Sequence, residues 1–243
     1  MASSVPLVVK DGSPSRKRRK QDANTSADAR LNVYEVQASM YRENRHRLAA
    51  RVREDSTVAQ IFRTGESEGG GLIVMQGGEA GVRHETDHEP FFRQESSFAW
   101  AFGVKEPDCF GAIHVRSGKS VLFIPRLPEE YAVWMGFIRS PSSFEDEYGV
   151  DEVHYTDELE SVLEQIKPGI IFTQRGFNAD SGSWAKEASC MAKPGLEKWR
   201  IDNGILYDHL VECRVIKTEA ELGLMRHVNR VSSEAHLAVM QNV

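Results

Sequence analysis

The sequence is poor in cysteine, in long apolar runs and in net positive charge, and each shortage excludes a class of protein. Three cysteines occur among 243 residues and no C-x-x-C pair is present, which argues against a disulfide framework and a cysteine zinc site. No apolar run could span a membrane, and the N-terminus lacks a secretory signal core. The net charge of −6 argues against general nucleic-acid binding. We therefore expect a cytoplasmic protein of a reducing compartment, with neither nucleic acid nor a membrane as partner.

Three motifs of nucleotide and ester chemistry are also missing. The phosphate loop G-x-x-x-x-G-K-[ST] is absent, and so is a strand followed by G-x-G-x-x-G. The nucleophile elbow G-x-S-x-G does not occur either. The hydrophobic content of 40% and the four tryptophans still suffice for a packed core.

The N-terminal tail, residues 1–38, has the composition of a disordered segment, because Ser, Asp, Asn, Ala and basic residues dominate it. A basic run begins at Arg16 and ends at Lys20. One interpretation is a nuclear import signal. The alternative is a solvated basic tail without a function of its own.

Beyond the tail, strand and helix patterns alternate, which predicts an α/β fold. A strand is predicted at residues 91–103, with Phe98, Trp100 and Phe102 on one face. The run at 72–75 is continuously apolar, as in a strand buried on both faces. The predicted strands are residues 72–75, 91–103, 111–115, 120–125 and 170–173. The strands at 111–115 and 120–125 are expected to form a hairpin closed by Ser117 and Gly118.

The helical segments follow from apolar spacing and from capping residues. The helix at 157–166 has Thr156 as its expected cap and acidic residues in its first turn. Residues 55–70 are expected to form a polar loop that ends in glycines. The other predicted helices are residues 39–52, 129–135 and 218–243.

The segment from Thr218 to the end has the strongest start signal of these helices. Thr218 and Glu221 form a T-x-x-E capping box. No glycine or asparagine stop precedes the last two residues, so the helix is expected to need a partner surface that this chain lacks. Its predicted apolar stripe comprises Leu222, Met225, Val228, Ser232, Ala235 and Val239.

One pentapeptide matches the H-E-x-x-H pattern of zinc proteases, with His84 and His88 as ligands and Glu85 as base. That chemistry needs both histidines on one face of a helix. Here glycines precede the motif, Thr86 is β-branched and Pro90 follows at once. We therefore expect a polar loop and reject the metal site.

Residues 91–104, Phe-Phe-Arg-Gln-Glu-Ser-Ser-Phe-Ala-Trp-Ala-Phe-Gly-Val, resemble the N-terminal domain of the prolidases, or Xaa-Pro dipeptidases. This family is related to aminopeptidase P and creatinase. The resemblance covers the chain from about Asn44 to its end, in family order. Further matching blocks are residues 106–107, 118–120, 123–128, 134–136, 180–183, 211–218 and 232–236.

The resemblance implies an α/β domain with a mixed sheet flanked by helices, followed by a "pita-bread" domain that holds two metal ions, usually Mn²⁺. The implied reaction is hydrolysis of dipeptides with C-terminal proline or hydroxyproline. The family's ligands are two aspartates, a histidine and two glutamates of the second domain. Asp180 and Asp202 begin Asp-x-Gly segments, but Met191 and Cys213 stand eleven positions further on, and no H-G-x-G-H segment occurs.

One functional residue carries over from the family. Trp134 matches an aromatic residue that helps to close the active site of the partner subunit in the family's dimers. An indole offers a large apolar face to a proline ring. The alternative is packing within its own domain, since Tyr131, Trp134 and Phe137 have helical spacing.

These patterns divide the chain into a tail (1–38), a prolidase-like N-terminal domain (39–217) and the first helix of a truncated pita-bread domain (218–243). Our first hypothesis is the N-terminal portion of an Xaa-Pro dipeptidase, inactive alone and without bound metal. The second is a stand-alone module that dimerises with itself or with a full-length prolidase. The third is a zinc hydrolase based on His84 and His88.

Overall fold

The computed structural model describes residues 34–63, 69–185, 187–192, 196 and 198–242. The basic run of residues 16–20 lies outside them. The helices are α1 (Ala38–Glu54), α2 (Ser56–Arg63), α3 (Ser96–Phe102), α4 (Tyr131–Met135), α5 (Pro141–Tyr148), α6 (Leu159–Ile166), α7 (Leu206–Val215) and α8 (Glu219–Gln241). The strands are β1 (Gly71–Gln76), β2 (Phe110–His114), β3 (Ser120–Ile124), β4 (Glu152–Tyr155), β5 (Ile170–Phe172), β6 (Phe177–Asn178), β7 (Ser183–Trp184) and β8 (Ile201–Asp202).

A mixed sheet organises the domain, as the sequence predicts. Its six strands lie in the order β4-β3-β2-β1-β5-β8. β2 is antiparallel to β1 and β3, whereas β4 is parallel to β3, and β5 is parallel to both β1 and β8. The carboxyl ends of all strands except β2 therefore meet at one edge, which we call the carboxyl edge. It contains the strand ends Gln76, Ile124, Tyr155, Phe172 and Asp202.

Apolar clusters cover both faces of this sheet. Ile73 of β1 lies in one cluster, which includes side chains from α1, α3, α5 and α7. Its neighbour Leu72 lies in the other, which includes α6. Successive side chains of a strand point to opposite faces, so burial of both faces requires the continuous apolar run predicted at 72–75. The predicted hairpin of β2 and β3 is also confirmed.

The predicted strand at 91–103 is wrong, because its aromatic part forms helix α3. The Glu95 carboxylate accepts a hydrogen bond from the Phe98 amide at 2.7 Å and caps the helix. Phe98 and Phe102 are four residues apart, so they lie on one helical face and stack at 4.9 Å. Trp100 points elsewhere and is only partly buried. The spacing of four residues between Phe98 and Phe102 thus fits both the alternation of a strand and one turn of a helix.

The predicted polar loop at 55–70 is wrong over its first half, where α2 forms. The Asp55 carboxylate accepts hydrogen bonds from the amides of Thr57 and Val58, at 2.8 and 3.2 Å. Val58 is fully buried, and two further apolar side chains of α2 pack against the core. Residues 64–68 lie outside the described residues.

Helix boundaries show smaller differences. The predicted cap at Thr156 is wrong, because a 3-10 turn (Thr156–Glu158) precedes α6. In this turn the Glu158 carboxylate accepts a hydrogen bond from the Tyr155 amide at 2.9 Å. Helices α5 and α7 were not predicted, although Pro141 at the start of α5 is a typical helix-initiating residue.

Helix α8 begins with the predicted capping box. The Glu221 amide donates to the Thr218 hydroxyl at 3.2 Å, and the Thr218 amide donates to the Glu221 carboxylate at 2.7 Å. The indole of Trp100 also donates to this carboxylate, at 2.8 Å. Arg47 donates to the carbonyl of Ile216 at 2.7 Å. These contacts fix the direction in which α8 leaves the domain.

Candidate functional site

The segment between β3 and α5 (residues 127–138), which we call the aromatic segment, leaves the carboxyl edge of the sheet. Arg126 fixes its start. The guanidinium donates to both oxygens of Asp157, at 2.8 and 3.2 Å, and to Glu158 at 3.2 Å. It also lies 3.7 Å from the ring centroid of Tyr155. The hydrogen bond to Asp157 raises the pKa of Arg126 above its ordinary value.

A second arginine, Arg139, fixes the other end of the aromatic segment. It donates to Glu106 at 2.8 Å and to Glu147 at 2.5 Å. The Tyr148 hydroxyl donates to the second oxygen of Glu106 at 2.6 Å. Burial, followed by the hydrogen bond to Glu106 and then by the charge of Glu106, raises the pKa of Tyr148 well above its usual range, so the phenol stays a donor. The segment is therefore pinned at both ends.

Between the two arginines, the aromatic segment exposes large apolar side chains. Trp134 is 86% exposed and Phe137 is 87% exposed, and Val133 is similarly uncovered. Gly136 ends α4 with φ of 83°, a conformation that favours glycine. The alternative that Trp134 and Phe137 pack within their own domain is contradicted. An anchored, exposed apolar patch of this kind is a candidate interaction site.

The H-E-x-x-H residues lie in the predicted loop, between β1 and α3. A turn closes over them, because the Arg83 amide donates to the carbonyl of His88 at 2.9 Å. Glu85 has φ of 60° and is not helical, and both histidines are exposed. The helix that this zinc motif needs is therefore missing. Within the described ranges, no three His, Cys, Asp or Glu side chains are placed to hold a metal ion.

A polar groove lies at the edge of the sheet opposite to the aromatic segment. It is lined by His114, Lys119, Glu152 and His154, among others. Lys119 donates to Glu152 at 2.6 Å, so the two charges offset each other. Burial, followed by the charge of Lys119, lowers the pKa of His114. The groove pairs its charges internally and leaves no free cation for an anionic ligand among these side chains.

Helix α8 presents a second exposed apolar surface. None of its side chains is fully buried against the domain. The exposed members of its predicted stripe include Met225, Val228 and Val239. In the part of the chain that the structure describes, no helix is both long and apolar enough to cross a membrane.

Two features of the carboxyl edge were missed by sequence reasoning. The first is the pair of anchoring arginines, which gave no signal because three of their four acidic partners lie 31 to 33 residues away in sequence. The second is the hairpin of β6 and β7, which carries the exposed rings of Phe177 and Trp184. Its signal was present in the Asn-x-Asp-Ser-Gly turn between the two rings.

The family described as "Aminopeptidase P, N-terminal domain" matches residues 41–170, more than half of the chain. The chain belongs to this family. The match ends within β5, so it includes the aromatic segment and excludes the hairpin and α8.

Two similar relatives are Xaa-Pro dipeptidases. The protein of Pongo abelii is 48% identical over 208 residues, and that of Homo sapiens is 47% identical over the same length. In both cases the match covers 86% of this chain and 40% of the relative. The chain thus spans about two fifths of the length of these relatives.

Solved aminopeptidase P structures share the fold. The Pseudomonas aeruginosa enzyme has a TM-score of 0.60 at 21% identity, and covers 86% of this chain and 45% of its own. The zinc-substituted Escherichia coli enzyme in complex with product has a TM-score of 0.58 at 17% identity, over 84% of this chain and 44% of its own. The mixed sheet flanked by helices is therefore the fold of this family's N-terminal domain.

Proposed function

We propose that the chain is the N-terminal portion of an Xaa-Pro dipeptidase. In the complete protein it would take part in Mn²⁺-dependent hydrolysis of dipeptides with C-terminal proline or hydroxyproline. The 47–48% identity to two Xaa-Pro dipeptidases over 208 residues supports this activity above that of an aminopeptidase. We place it in the cytoplasm, in keeping with three buried cysteines that form no disulfide.

Trp134 is exposed on a segment that Arg126 and Arg139 hold at its two ends. This exposure is the observation that best supports a functional role for the chain. We propose that Trp134 reaches the active site of a second subunit. There its indole would cover the proline ring of the substrate and exclude water. Because both ends of the segment are fixed, little entropy is lost when the indole is buried.

The metal chemistry of the reaction would come from the second domain. The described residues do not fit a two-metal site, because no cluster of three candidate ligands occurs among them. Our proposal therefore gives this chain no metal-bound step and no turnover of its own. Its contribution is to bind, to orient and to exclude water.

A second candidate function is a stand-alone dimerisation or regulatory module. It is favoured by two separate exposed apolar surfaces, the aromatic segment and α8. Such a module would pair with itself or with a full-length dipeptidase. The two functions differ in whether Trp134 supports catalysis in another subunit.

A complementation assay tests both. The chain is assayed with Mn²⁺ on Gly-Pro, alone and mixed with a Xaa-Pro dipeptidase whose own matching tryptophan is replaced by alanine. We expect no turnover by the chain alone and recovery of turnover in the mixture. The Trp134→Ala chain should fail to restore turnover, whereas Trp134→Phe should restore part of it.

Each outcome has a clear meaning. Mn²⁺-dependent turnover by the chain alone, after removal of contaminating peptidase, would overturn the proposal and return attention to His84, Glu85 and His88. Equal recovery with the wild-type and Trp134→Ala chains would disprove the role of the indole and favour a regulatory module.

A further inference from the structure

A concave pocket opens beside the point at which the described part of the chain begins. Its volume is about 840 Å³, and Tyr34, the first described residue, lines it. Residues 34–37 form one wall, the first turn of α1 forms a second, and the last turn of α5 forms a third. The lining contains no residue of the aromatic segment or of α8, so the functions proposed above make no use of this pocket.

The pocket carries more negative than positive charge. Its described lining includes the acids Glu35, Asp146 and Glu147 and the single base Lys105. Glu147 is already paired with Arg139 at 2.5 Å. Glu35 and Asp146 are exposed and form no ion pair within the described ranges. Two carboxylates of the pocket therefore lack a cation, and Lys105 offsets only part of their charge.

Tyrosine rings complete the lining. They belong to Tyr34, Tyr41 and Tyr148. Tyr34 is 39% exposed, and its ring lies 4.8 Å from the ring of His227 on α8, which holds it in place. Guanidinium groups pair with carboxylates and also stack on aromatic faces. A pocket with free carboxylates beside tyrosine rings therefore suits a peptide rich in arginine.

The chain itself contains a segment of that composition. The basic run of residues 16–20 carries five positive charges and no negative charge. Thirteen residues separate it from Tyr34, and a chain of this length spans roughly 45 Å when fully extended. Because Tyr34 is part of the pocket wall, the covalent connection starts at the pocket, and the run is within reach of it.

The covalent connection makes weak contacts sufficient. A short linker gives a tethered segment an effective concentration in the millimolar range. An exposed ion pair strengthens binding by no more than about fivefold, so a separate basic peptide is expected to bind only weakly. The tethered run needs no more than this weak affinity to occupy the pocket for most of the time.

We propose that the basic run of residues 16–20 binds in this pocket of its own chain. Glu35 and Asp146 are its carboxylate partners, and the rings of Tyr34 and Tyr41 lie beside it. The bound run is withheld from a nuclear import receptor, which needs the same basic side chains. This contact goes beyond the proposed function and does not depend on it, since no step of Gly-Pro turnover is involved.

A peptide competition assay tests the contact. The probe is a fluorescein-labelled peptide of residues 13–21, and fluorescence anisotropy at low salt measures its binding to the full chain. In one variant all five basic residues of the run are replaced by glutamine, which leaves every described residue unchanged. We expect this variant to bind the peptide at least about tenfold more tightly than wild type, whose own run occupies the pocket. Equal binding by the two chains would overturn the proposal.

Isosteric substitutions in the glutamine variant locate the site and control for net charge. Glu35→Gln/Asp146→Asn removes two exposed carboxylates and should weaken peptide binding about five- to twentyfold. The matched control Glu54→Gln/Asp87→Asn removes two exposed carboxylates outside the pocket and should leave the affinity nearly unchanged. Equal weakening by both pairs would mean that only net charge attracts the peptide, and would refute the pocket as its site.

A nuclear magnetic resonance measurement shows whether the contact lies within one chain. The three native cysteines are buried, so a nitroxide at Ser13→Cys labels the tail selectively. We expect the amide signals of Lys105 and Asp146 to broaden. The signals of Glu164 and Lys198, an exposed ion pair at the α6 face of the sheet, should stay sharp. Broadening of both pairs, or of neither, would contradict the proposal.

A mixed sample excludes contact between chains. Nitroxide-labelled chain without ¹⁵N is mixed with unlabelled ¹⁵N chain, and the signals of Lys105 and Asp146 should then stay sharp. Broadening in this mixture would place the run in the pocket of a neighbouring chain and would refute the intramolecular contact.

Discussion

Two short aromatic helices of this protein, α3 and α4, have similar compositions and opposite environments. Helix α3 buries Phe98 and Phe102 completely, whereas α4 leaves Val133 and Trp134 in solvent. The Glu95 side chain caps α3, and the N-terminus of α4 has no side-chain cap. Aromatic content alone therefore does not distinguish a helix of the core from a helix with an exposed surface. The position of the helix relative to the sheet makes that distinction, since α3 lies on a face and α4 lies beyond an edge.

The largest expected effect is the loss of stability when a core side chain of α3 is truncated, compared with truncation of a surface side chain of α4. Phe102→Ala should lower the free energy of unfolding by about 3–5 kcal/mol, because it leaves a cavity beside Phe98. Trp134→Ala should change it by no more than about 0.5 kcal/mol, since the ring is exposed. Urea unfolding of both variants checks this. A comparable loss in both would show that the aromatic segment also contributes to the core.

The contact between α3 and α8 is expected to have the next largest effect. Trp100→Phe removes the indole donor to the Glu221 carboxylate, a bond to a charged group whose loss costs about 1.5 kcal/mol. Amide hydrogen exchange in the first turn of α8 should become faster. The control Trp184→Phe should leave these amides unchanged. Unaltered protection in Trp100→Phe would mean that the capping box alone fixes α8.

Capping gives a smaller difference between the two helices. Glu95→Ala removes the side-chain cap of α3 and should lower the free energy of unfolding by about 1 kcal/mol. Glu130→Ala, at the corresponding position of α4, should have almost no effect because that side chain makes no cap bond. Thermal unfolding of the two variants, monitored by circular dichroism, measures the difference. Equal losses of stability in the two variants would contradict the conclusion that the Glu95 cap stabilises α3.

The smallest effect concerns acid stability at the start of α2. Burial opposes ionisation of Asp55, but the amides of Val58 and Thr57 and the His209 ring together lower the pKa of the carboxyl below 3.8. Since the folded pKa is the lower one, this stabilisation is full at neutral pH and is lost as the pH falls through the folded value. The advantage of wild type over Asp55→Asn should therefore shrink on acidification below 3.8.

Urea unfolding between neutral and acidic pH measures this dependence. The exposed Asp87→Asn variant serves as the matched control, and its small difference from wild type should not change with pH. An advantage over Asp55→Asn that grows on acidification would contradict the assigned hydrogen bonds.

The sequence predicted much of the fold because burial leaves periodic patterns. The apolar run at 72–75, the hairpin of β2 and β3, and the capping box at Thr218 are all present as predicted. The strand predicted at 91–103 failed because the i, i+4 spacing of Phe98 and Phe102 fits a period of two as well as one helical turn. Only the cap from Glu95 and the contact between two rings separate the alternatives, and both depend on packing.

The candidate site was predicted in part. Trp134 was singled out through its resemblance to a family, not through its own pattern, and its exposure could not be inferred from spacing. The anchors Arg126 and Arg139 pair with acids that come together only when β3, β4 and α5 are in place. The rings of Phe177 and Trp184 follow a strand that ends at the same edge as the strand before the aromatic segment. This placement depends on the strand order and could not be read from the sequence.

The sequence by itself determined the α/β class, the family resemblance and the start of α8, because alternation, motif order and capping are local properties. Tertiary structure decided which aromatic residues are buried and which remain exposed. It also brought residues 127–138 and 177–184 to one edge. The physical reason is that strand order and direction are set by long-range pairing, which local side-chain patterns do not encode.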